Sequence, residues 1–584
     1  MPAELDAENA GHHEYYFLPL LLGVAGIVAL SASRRSRRIS FATLVLFLMA
    51  GAAIAFYLNQ SPGEPRERDY AFGGSIMAFC GWIAFGAAAI VAIPRRRALR
   101  VLVAAALCGV PLLMLCENIP DHDRHLRTAA RDLPRNLLLS LDRDAILFTN
   151  GDNLTFPLWY LQEVEGVRRD VRVINLNYLS TSWYAHQLMQ SSGEGLPVPT
   201  TARPGDIVYG AASATTISPS ATPAEGVDAL ARYYAALRGG GKGSIAGPHL
   251  RIAGSDSIVF TLGPGRVVAQ GPVFMADIIT TNAARGWKRP IYLADGTGAS
   301  DQHGLTPLLL TEGMALRLVP DTAAYAARAL ERTDSLITGV FSWGGLSRPG
   351  VYTDDATRFQ AHRLRRLALR TSDALLRAGR PERAEAVVAK AFAELPAAAI
   401  PYTAYTDGYT RLHEAVQTAD ALCAIDSALG RPELRTRART LLIDAAVRGL
   451  AFRRYVNRTP PSVRSTISGG VRLQSVLLFA PFDAWERLGF GSADDLTRLI
   501  DAGSLDLRAE REAWRADRAL RRLLPMARPA TARRLGNAPA DPQADSATAR
   551  ALNDYFRAGG SPDALAAYKE FADFDTAFFK SLIP

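Results

Sequence analysis

The sequence predicts a membrane α-helical segment of about four spans, followed by an extracytoplasmic α/β domain and an irregular, tetratricopeptide-like helical array. Three observations carry that expectation. Four apolar runs crowd the N-terminal 120 residues, strand-like and helix-like periods alternate from Asp132, and helical spacing dominates after about Thr322. The expected boundaries are 1–120 for membrane helices with the N-terminus outside, 121–305 for the α/β domain and 306–528 for the helical array. A linker at 529–549 and a terminal helical segment at 550–584 follow. At 584 residues the chain exceeds what one hydrophobic core organises.

The apolar runs are Tyr16 to Ala32, Phe41 to Leu58, Phe72 to Ile93 and Val101 to Ile119. Each is about the 17 to 25 residues that a helix needs to cross hydrocarbon. Arg34, Arg35, Arg37 and Arg38 fill the first connection, and Arg95, Arg96, Arg97 and Arg100 the third. The N-terminal tail is acidic and the second connection has mixed charge, so the positive-inside rule places the tail, that connection and everything after Ile119 outside. The acidic tail is no signal peptide. An N-out start then either inserts unaided or continues a membrane domain whose earlier helices are encoded upstream.

The net charge of +9 also resides in those arginines. Setting the eight aside from the 66 basic residues leaves 58 against 57 acidic ones, which argues against a nucleic-acid partner. The four cysteines lie in apolar or helical contexts and form neither a disulfide framework nor a zinc spacing.

In the soluble region, Ala145 to Phe148 reads as a strand closed by turn residues Thr149 to Asn153. Phe156 to Val164 has helical spacing and Asp170 to Leu176 alternates, which makes a strand, helix, strand unit with a right-handed crossover. Strands at Ile258 to Leu262 and Ile291 to Ala294, with a helix near Phe274 to Asn282, complete the α/β domain. Gly193 to Gly247 is expected to be loop-dominated. Leu364 to Leu395 reads as two helices broken at Gly379 and Pro381, similar to one tetratricopeptide repeat, although no clean 34-residue period exists. Pro529 to Ala549, rich in Ala, Pro, Asp and Arg, reads as a flexible linker.

Several phrases resemble one family of multi-pass bacterial membrane proteins, domain of unknown function 2723, related to protein O-mannosyltransferases of the transmembrane protein 260 type. They are Tyr15 to Gly23, Asn59-Gln60 with Glu64 to Tyr70, Gly151-Asp152-Asn153, Thr155 to Tyr160, Gln162 to Gly166, Asp170 to Val173 and Trp287 to Tyr292. With the helical pair near Gly379 they extend the resemblance through about residue 450. It implies a C-type glycosyltransferase of the bacterial inner membrane with a periplasmic soluble region. Such an enzyme moves a mannose-like sugar from a polyprenyl-phosphate donor to Ser or Thr of an extracytoplasmic acceptor protein. It implies no cofactor beyond that lipid-linked donor substrate. Membrane lipids and an upstream-encoded membrane half are the other expected partners. Similar proteins carry more helices before the Tyr15 motif and place the catalytic carboxylate there. Leu154 stands where an acidic residue is expected, and Ala283 to Gly286 is an apparent insertion.

The loop Glu64 to Tyr70 offers Arg66 and Arg68 as a bidentate clamp on the donor phosphate, with Glu67 or Asp69 as the base. The alternative is that these charges pair with one another. Asn150, Asp152, Asn153 and Asn175 follow the carboxyl ends of parallel strands, where open α/β sheets bind ligands, as do Asn177 and Asp295. Asp152 and Asn153 would otherwise cap the following helix. Trp159 and Tyr160, like Trp183 and Tyr184, either stack on substrate sugar or pack in the core. His122 and His125 lack a third metal ligand, and the Gly-rich run at 239–244 lacks the order of a phosphate loop. The reading is the C-terminal half of a membrane glycosyltransferase. A non-catalytic, membrane-anchored binding or scaffold protein with a helical-repeat surface is the alternative.

Overall fold

The computed structural model describes residues 13–59, 69–191, 193–207, 214–218, 220, 222–241, 243–252, 259–263, 267–295, 297–348, 351, 353–402, 412–458, 480–501, 508–562, 565 and 574–581. The chain forms two compact units, one of Met1–His125, Tyr402–Cys423 and Glu433–Pro584, the other of Leu126–Pro401 and Ala424–Pro432.

Among the described residues of the first unit, three helices are long and apolar enough to cross a membrane: Arg37–Leu58, Tyr70–Ala92 and Arg97–Ile119. This marks the chain as a membrane protein. The apolar helix before them, Leu18–Ala32, has 15 residues, or about 22 Å at 1.5 Å per residue, short of a hydrocarbon core of about 30 Å. Its start is fixed locally. Tyr16 and Phe17 both adopt positive φ (49° and 57°), and Pro19 occupies the first turn. Asn118 Nδ2 donates to the Tyr15 hydroxyl at 2.6 Å, tying the Tyr15 motif to the far end of Arg97–Ile119.

Leu18–Ala32 packs on Tyr70–Ala92 through glycines, with Gly26 against the Trp82 carbonyl and Gly86 against the Leu22 carbonyl. In a membrane, where lipid is as apolar as leucine, close backbone approach of this kind is what holds helices together. Trp82 Nε1 donates to Thr43 Oγ1 at 2.9 Å, and its ring lies 5.0 Å from that of Phe47, which binds Arg37–Leu58 to the same helix.

Elsewhere in this unit, helix Arg508–Arg534 packs Leu520, Leu523, Ala527 and Ala530 against Ala549, Leu552 and Tyr555 of Pro542–Arg557. The linker expected at 529–549 is therefore corrected. Asp541 caps the second helix by accepting from the Ala544 N–H at 2.9 Å, and Pro542 opens it, so the Pro and Asp that suggested a linker are helix-start signals.

The second unit is built on a five-stranded sheet. Its strands are β1 (Ile146–Thr149), β2 (Arg172–Asn175), β9 (Ile291–Ala294), β10 (Leu309–Glu312) and β11 (Ala315–Leu318), in the order β10-β11-β9-β1-β2. β9, β1 and β2 are parallel, and the β10–β11 hairpin joins antiparallel to β9. Ile146, Leu147 and Phe148 are fully buried, which is why β1 reads as a continuous apolar run. The sheet continues past residue 305, where the helical array was expected to begin, because β10 and β11 cover the outer edge of β9.

Two small sheets flank it. One contains β3 (Thr215–Ser218), β5 (Ser244–Ala246) and β8 (Val267–Val268); the other contains β4 (Ala224–Glu225), β6 (His249–Arg251) and β7 (Val259–Thr261). The stretch expected as loop-dominated also holds helix Gly226–Arg238, which buries Leu230, Tyr233 and Tyr234. Helices Asp355–Arg377 and Pro381–Glu394 form the expected pair, with Gly379 at φ 71° in the turn.

Several motif residues prove to be braces. Arg168 donates to the carbonyls of Leu138, Leu141 and Asp142 and to both oxygens of Asp170, while Gln162 Nε2 donates to the carbonyls of Arg168 and Val171. Asp142 binds Arg317 at 2.7 Å and also Arg332, and Arg317 reaches Glu312 at 2.9 Å. Burial pushes the Asp142 carboxyl up, but the Arg332 and Arg317 guanidiniums prevail and hold it below its ordinary value. A depressed carboxylate stabilises the fold above its unfolded pKa, and that contribution is lost as pH falls through the folded value. Unfolding measured from about pH 7 down to about pH 2 should therefore show Asp142→Asn less stable than wild type near neutrality but less sensitive to acid. Parallel acid limbs for the two proteins would refute the linkage.

Candidate functional site

The chain enters the sheet at β1, moves to β2 on one side, and later returns through β9 on the other. Strand order thus reverses beside β1, the arrangement that opens a crevice at the carboxyl ends of parallel strands. Register places the residues there. Phe148 pairs with Leu293 and Thr149 with Asn175, so Asn150 and Asp295 are the next residues out on neighbouring strands.

Gly151 turns the chain from β1 into helix Asp152–Glu163 at φ 77°, a conformation that side chains with Cβ rarely adopt. No side chain caps that helix, so the capping alternative for Asp152 and Asn153 is not what the structure contains. Asp152 is exposed and accepts a hydrogen bond from the Tyr178 hydroxyl at 3.2 Å. Desolvation and the neighbouring Asp152 carboxylate hold the Tyr178 phenol above its ordinary pKa. Asn153 is exposed beside it, and exposed Asn150 donates through Nδ2 to Asp301 at 2.6 Å.

Asn175 differs. It is fully buried, donating through Nδ2 to Thr155 Oγ1 at 3.1 Å and accepting from the Asn177 N–H at 2.9 Å. Its backbone N–H donates to the Tyr184 hydroxyl at 2.9 Å, and burial pushes that phenol up to about 12. Asn175 therefore positions the end of β2 and offers no polar atom to a ligand.

Aromatic rings line the same rim. Phe156 stacks on Trp159 at 5.6 Å, Trp159 on Tyr178 at 6.4 Å, and Tyr178 lies 6.1 Å from Trp183. Phe156 is 47% exposed, Tyr160 49% and Trp183 59%, whereas Tyr184 is buried. The four aromatics named from sequence thus divide. Tyr184 is core, Trp159 is half-buried within the ladder, Trp183 presents an open face at its end, and exposed Tyr160 stands outside the ladder with its hydroxyl bonded to Glu165 past the far end of the helix. Flat apolar rings beside an exposed carboxylate and amides suit the two kinds of surface on a sugar, its C–H face and its hydroxyls.

Arg66, Glu67 and Arg68 lie outside the described residues. Asp69 falls in the short turn Asp69–Phe72, of which only the backbone is described. Asp301 and Tyr178 were not foreseen as site residues. Neither were Arg363 and Arg370, whose Nη2 atoms approach Asp295 at 3.6 and 3.7 Å. The signal for the arginines was present as His362-Arg363-Leu364-Arg365-Arg366 and Arg370 in one helix, but a basic helix face reads equally well as solvated surface. Among the described residues no group of three or more His, Cys, Asp or Glu side chains comes together to hold a metal ion.

Residues 130–235 and 245–336 match the family described as TMEM260-associated domain 2. No curated protein and no solved structure matches the chain. The matched segment covers helix Ala129–Ser140, the whole five-stranded sheet and the crevice beside β1. Residues 130–336 are thus similar to a TMEM260-associated domain; Asn150, Asp152, Tyr178 and Asp301 lie within them, whereas Arg363 and Arg370 lie beyond.

Proposed function

We propose that this chain is the acceptor-handling part of a membrane glycosyltransferase of the domain of unknown function 2723 type, which transfers a mannose-like sugar from a polyprenyl-phosphate donor to Ser or Thr of extracytoplasmic proteins. The observation that carries the reading is the exposed aromatic ladder beside Asp152 at the carboxyl ends of β1 and β2. In this reading Leu18–Ala32 is a fourth span, its short helix extended by the Tyr15 motif, and the α/β domain lies on the periplasmic side of a bacterial inner membrane. Arg66 and Arg68 bind the donor phosphate, and Glu67 or Asp69 takes the proton of the acceptor hydroxyl. Phe156, Trp159 and Tyr160 stack on the sugar or on the acceptor chain. The helices from Asp355 onward act as a tetratricopeptide-like surface for the acceptor polypeptide.

The test is transfer of labelled mannose from polyprenyl-phosphate-mannose to a Ser/Thr peptide, using the full chain in lipid nanodiscs with the product of the upstream reading frame. Arg66→Ala should lower transfer about a hundredfold, the scale of one lost transition-state charge contact. Trp159→Ala should raise the acceptor KM about tenfold and leave kcat within twofold. Transfer indifferent to both variants would sink this reading. Acceptor binding without any transfer would assign the chain instead as a membrane-anchored binding module.

A further inference from the structure

Helix Asp355–Arg377 presents Arg363, Arg366 and Arg370 at spacings of three and four residues, which puts all three on one face. That face meets the end of β9, where Asp295 lies 3.6 Å from Arg363 and 3.7 Å from Arg370. Charge-assisted hydrogen bonds run at about 2.7 to 2.9 Å, so a single carboxylate straddles two guanidiniums without saturating either. Other acids nearby are engaged elsewhere: Asp373 pairs with Arg377 at 2.6 Å, Asp301 accepts from Asn150, and Asp152 accepts from Tyr178.

The positive charge is built in and reachable. The Arg363 side chain is only 10% exposed, while those of Asp295 and Arg370 are 31% and 56% exposed and Arg366 lies open to solvent. Burial, together with repulsion from Arg366 and Arg370, lowers the Arg363 pKa against the opposing pull of Asp295. A second anion would relieve that repulsion.

We propose that the crevice between β1 and β9 is a phosphate-binding site, in which a phosphate or diphosphate group seats against Arg363, Arg366 and Arg370 and displaces Asp295 as their counter-ion. Position supports the assignment as much as charge does, because the site occupies the switch point of the parallel strands. Arginine is also the side chain best shaped to grip a phosphate bidentately. The group could be carried by a lipid or be free in solution. Direct binding tests the site without any transfer, so the outcome is separate from that of the proposed activity.

The experiment is titration of the detergent-solubilised full chain with inorganic pyrophosphate at fixed ionic strength, read by calorimetry and by thermal shift. Arg366→Ala and Arg370→Ala remove exposed side chains and should leave the ligand-free Tm unchanged while each weakens binding at least about tenfold. Asp295→Asn should tighten it about fivefold by removing the competing carboxylate. A short-chain polyprenyl phosphate that binds more tightly than inorganic phosphate would assign a lipid-borne group, and equal affinities a soluble one. No pyrophosphate-dependent stabilisation of the wild type, or binding that survives both arginine variants, would overturn the proposal.

Discussion

Arg289→Ala is expected to destabilise the α/β unit by about 3 to 5 kcal/mol, the range for stranding buried partners of a charge. The side chain is buried at the start of β9. It donates through Nε to the Asp144 carbonyl at 2.7 Å and through Nη1 to the carbonyls of Leu196 and Pro197 at 3.2 and 2.8 Å. One guanidinium therefore ties β9 to the turn before β1 and to the segment near Pro197. Its own backbone is held in turn, because the Arg289 N–H donates to Asn282 Oδ1 at 3.2 Å and its carbonyl accepts from Asn282 Nδ2 at 2.8 Å. Burial pushes the guanidinium down to about 10, still charged near neutrality, so alanine removes a cation that four carbonyls, that of Ala145 included, are arranged around. Lysine should not rescue it, since a single ammonium cannot span carbonyls on two segments. Urea unfolding of the solubilised chain, followed by tryptophan fluorescence, measures the change. A loss below 1 kcal/mol would mean that water replaces the guanidinium without penalty.

That result also bears on what the sequence could reveal. β1 and β9 were legible because fully buried parallel strands are short apolar runs bounded by turn residues, β2 was legible from its alternation, and their carboxyl ends followed directly. Asn150 and Asp152 were named for that reason, and both lie exposed just past the carboxyl end of β1. Asn175 was named by the same rule and is buried, since nothing in the spacing tells a side chain that faces solvent from one spent on Thr155. Motif identity was no better a guide to role. Gln162, Arg168, Asp170 and Arg289 all fall in or beside the phrases that carried the resemblance, and each braces the backbone instead of facing the rim. The arginines at 363 and 370 meet Asp295 across about seventy residues of sequence, a contact that only the packing of helix Asp355–Arg377 onto the end of β9 creates.

In the membrane segment the largest effect is expected from Gly26→Leu or Gly86→Leu. A Cβ built on Gly26 would lie 1.8 Å from the Trp82 carbonyl oxygen, and one on Gly86 would lie 1.9 Å from that of Leu22. Both obstacles are backbone, so no rotamer change can relieve them and the helices must separate. Separation by even an ångström forfeits the dispersion contacts along the whole seam, and lipid offers no hydrophobic penalty that would drive the pair back together. At Gly23 the obstacle is the Phe79 ring, 2.6 Å away, which can swing aside. The series therefore predicts an order: Gly26→Leu and Gly86→Leu abolish the pairing of Leu18–Ala32 with Tyr70–Ala92, whereas Gly23→Ala weakens it by about 1 kcal/mol. Cysteine pairs placed along the two helices and cross-linked in native membranes read this out directly. Efficient cross-linking that persists in Gly26→Leu would show that the two backbones do not approach this closely. Cross-linking lost in Gly26→Leu but kept in Gly23→Ala would place the contact at the Gly26 and Gly86 crossing.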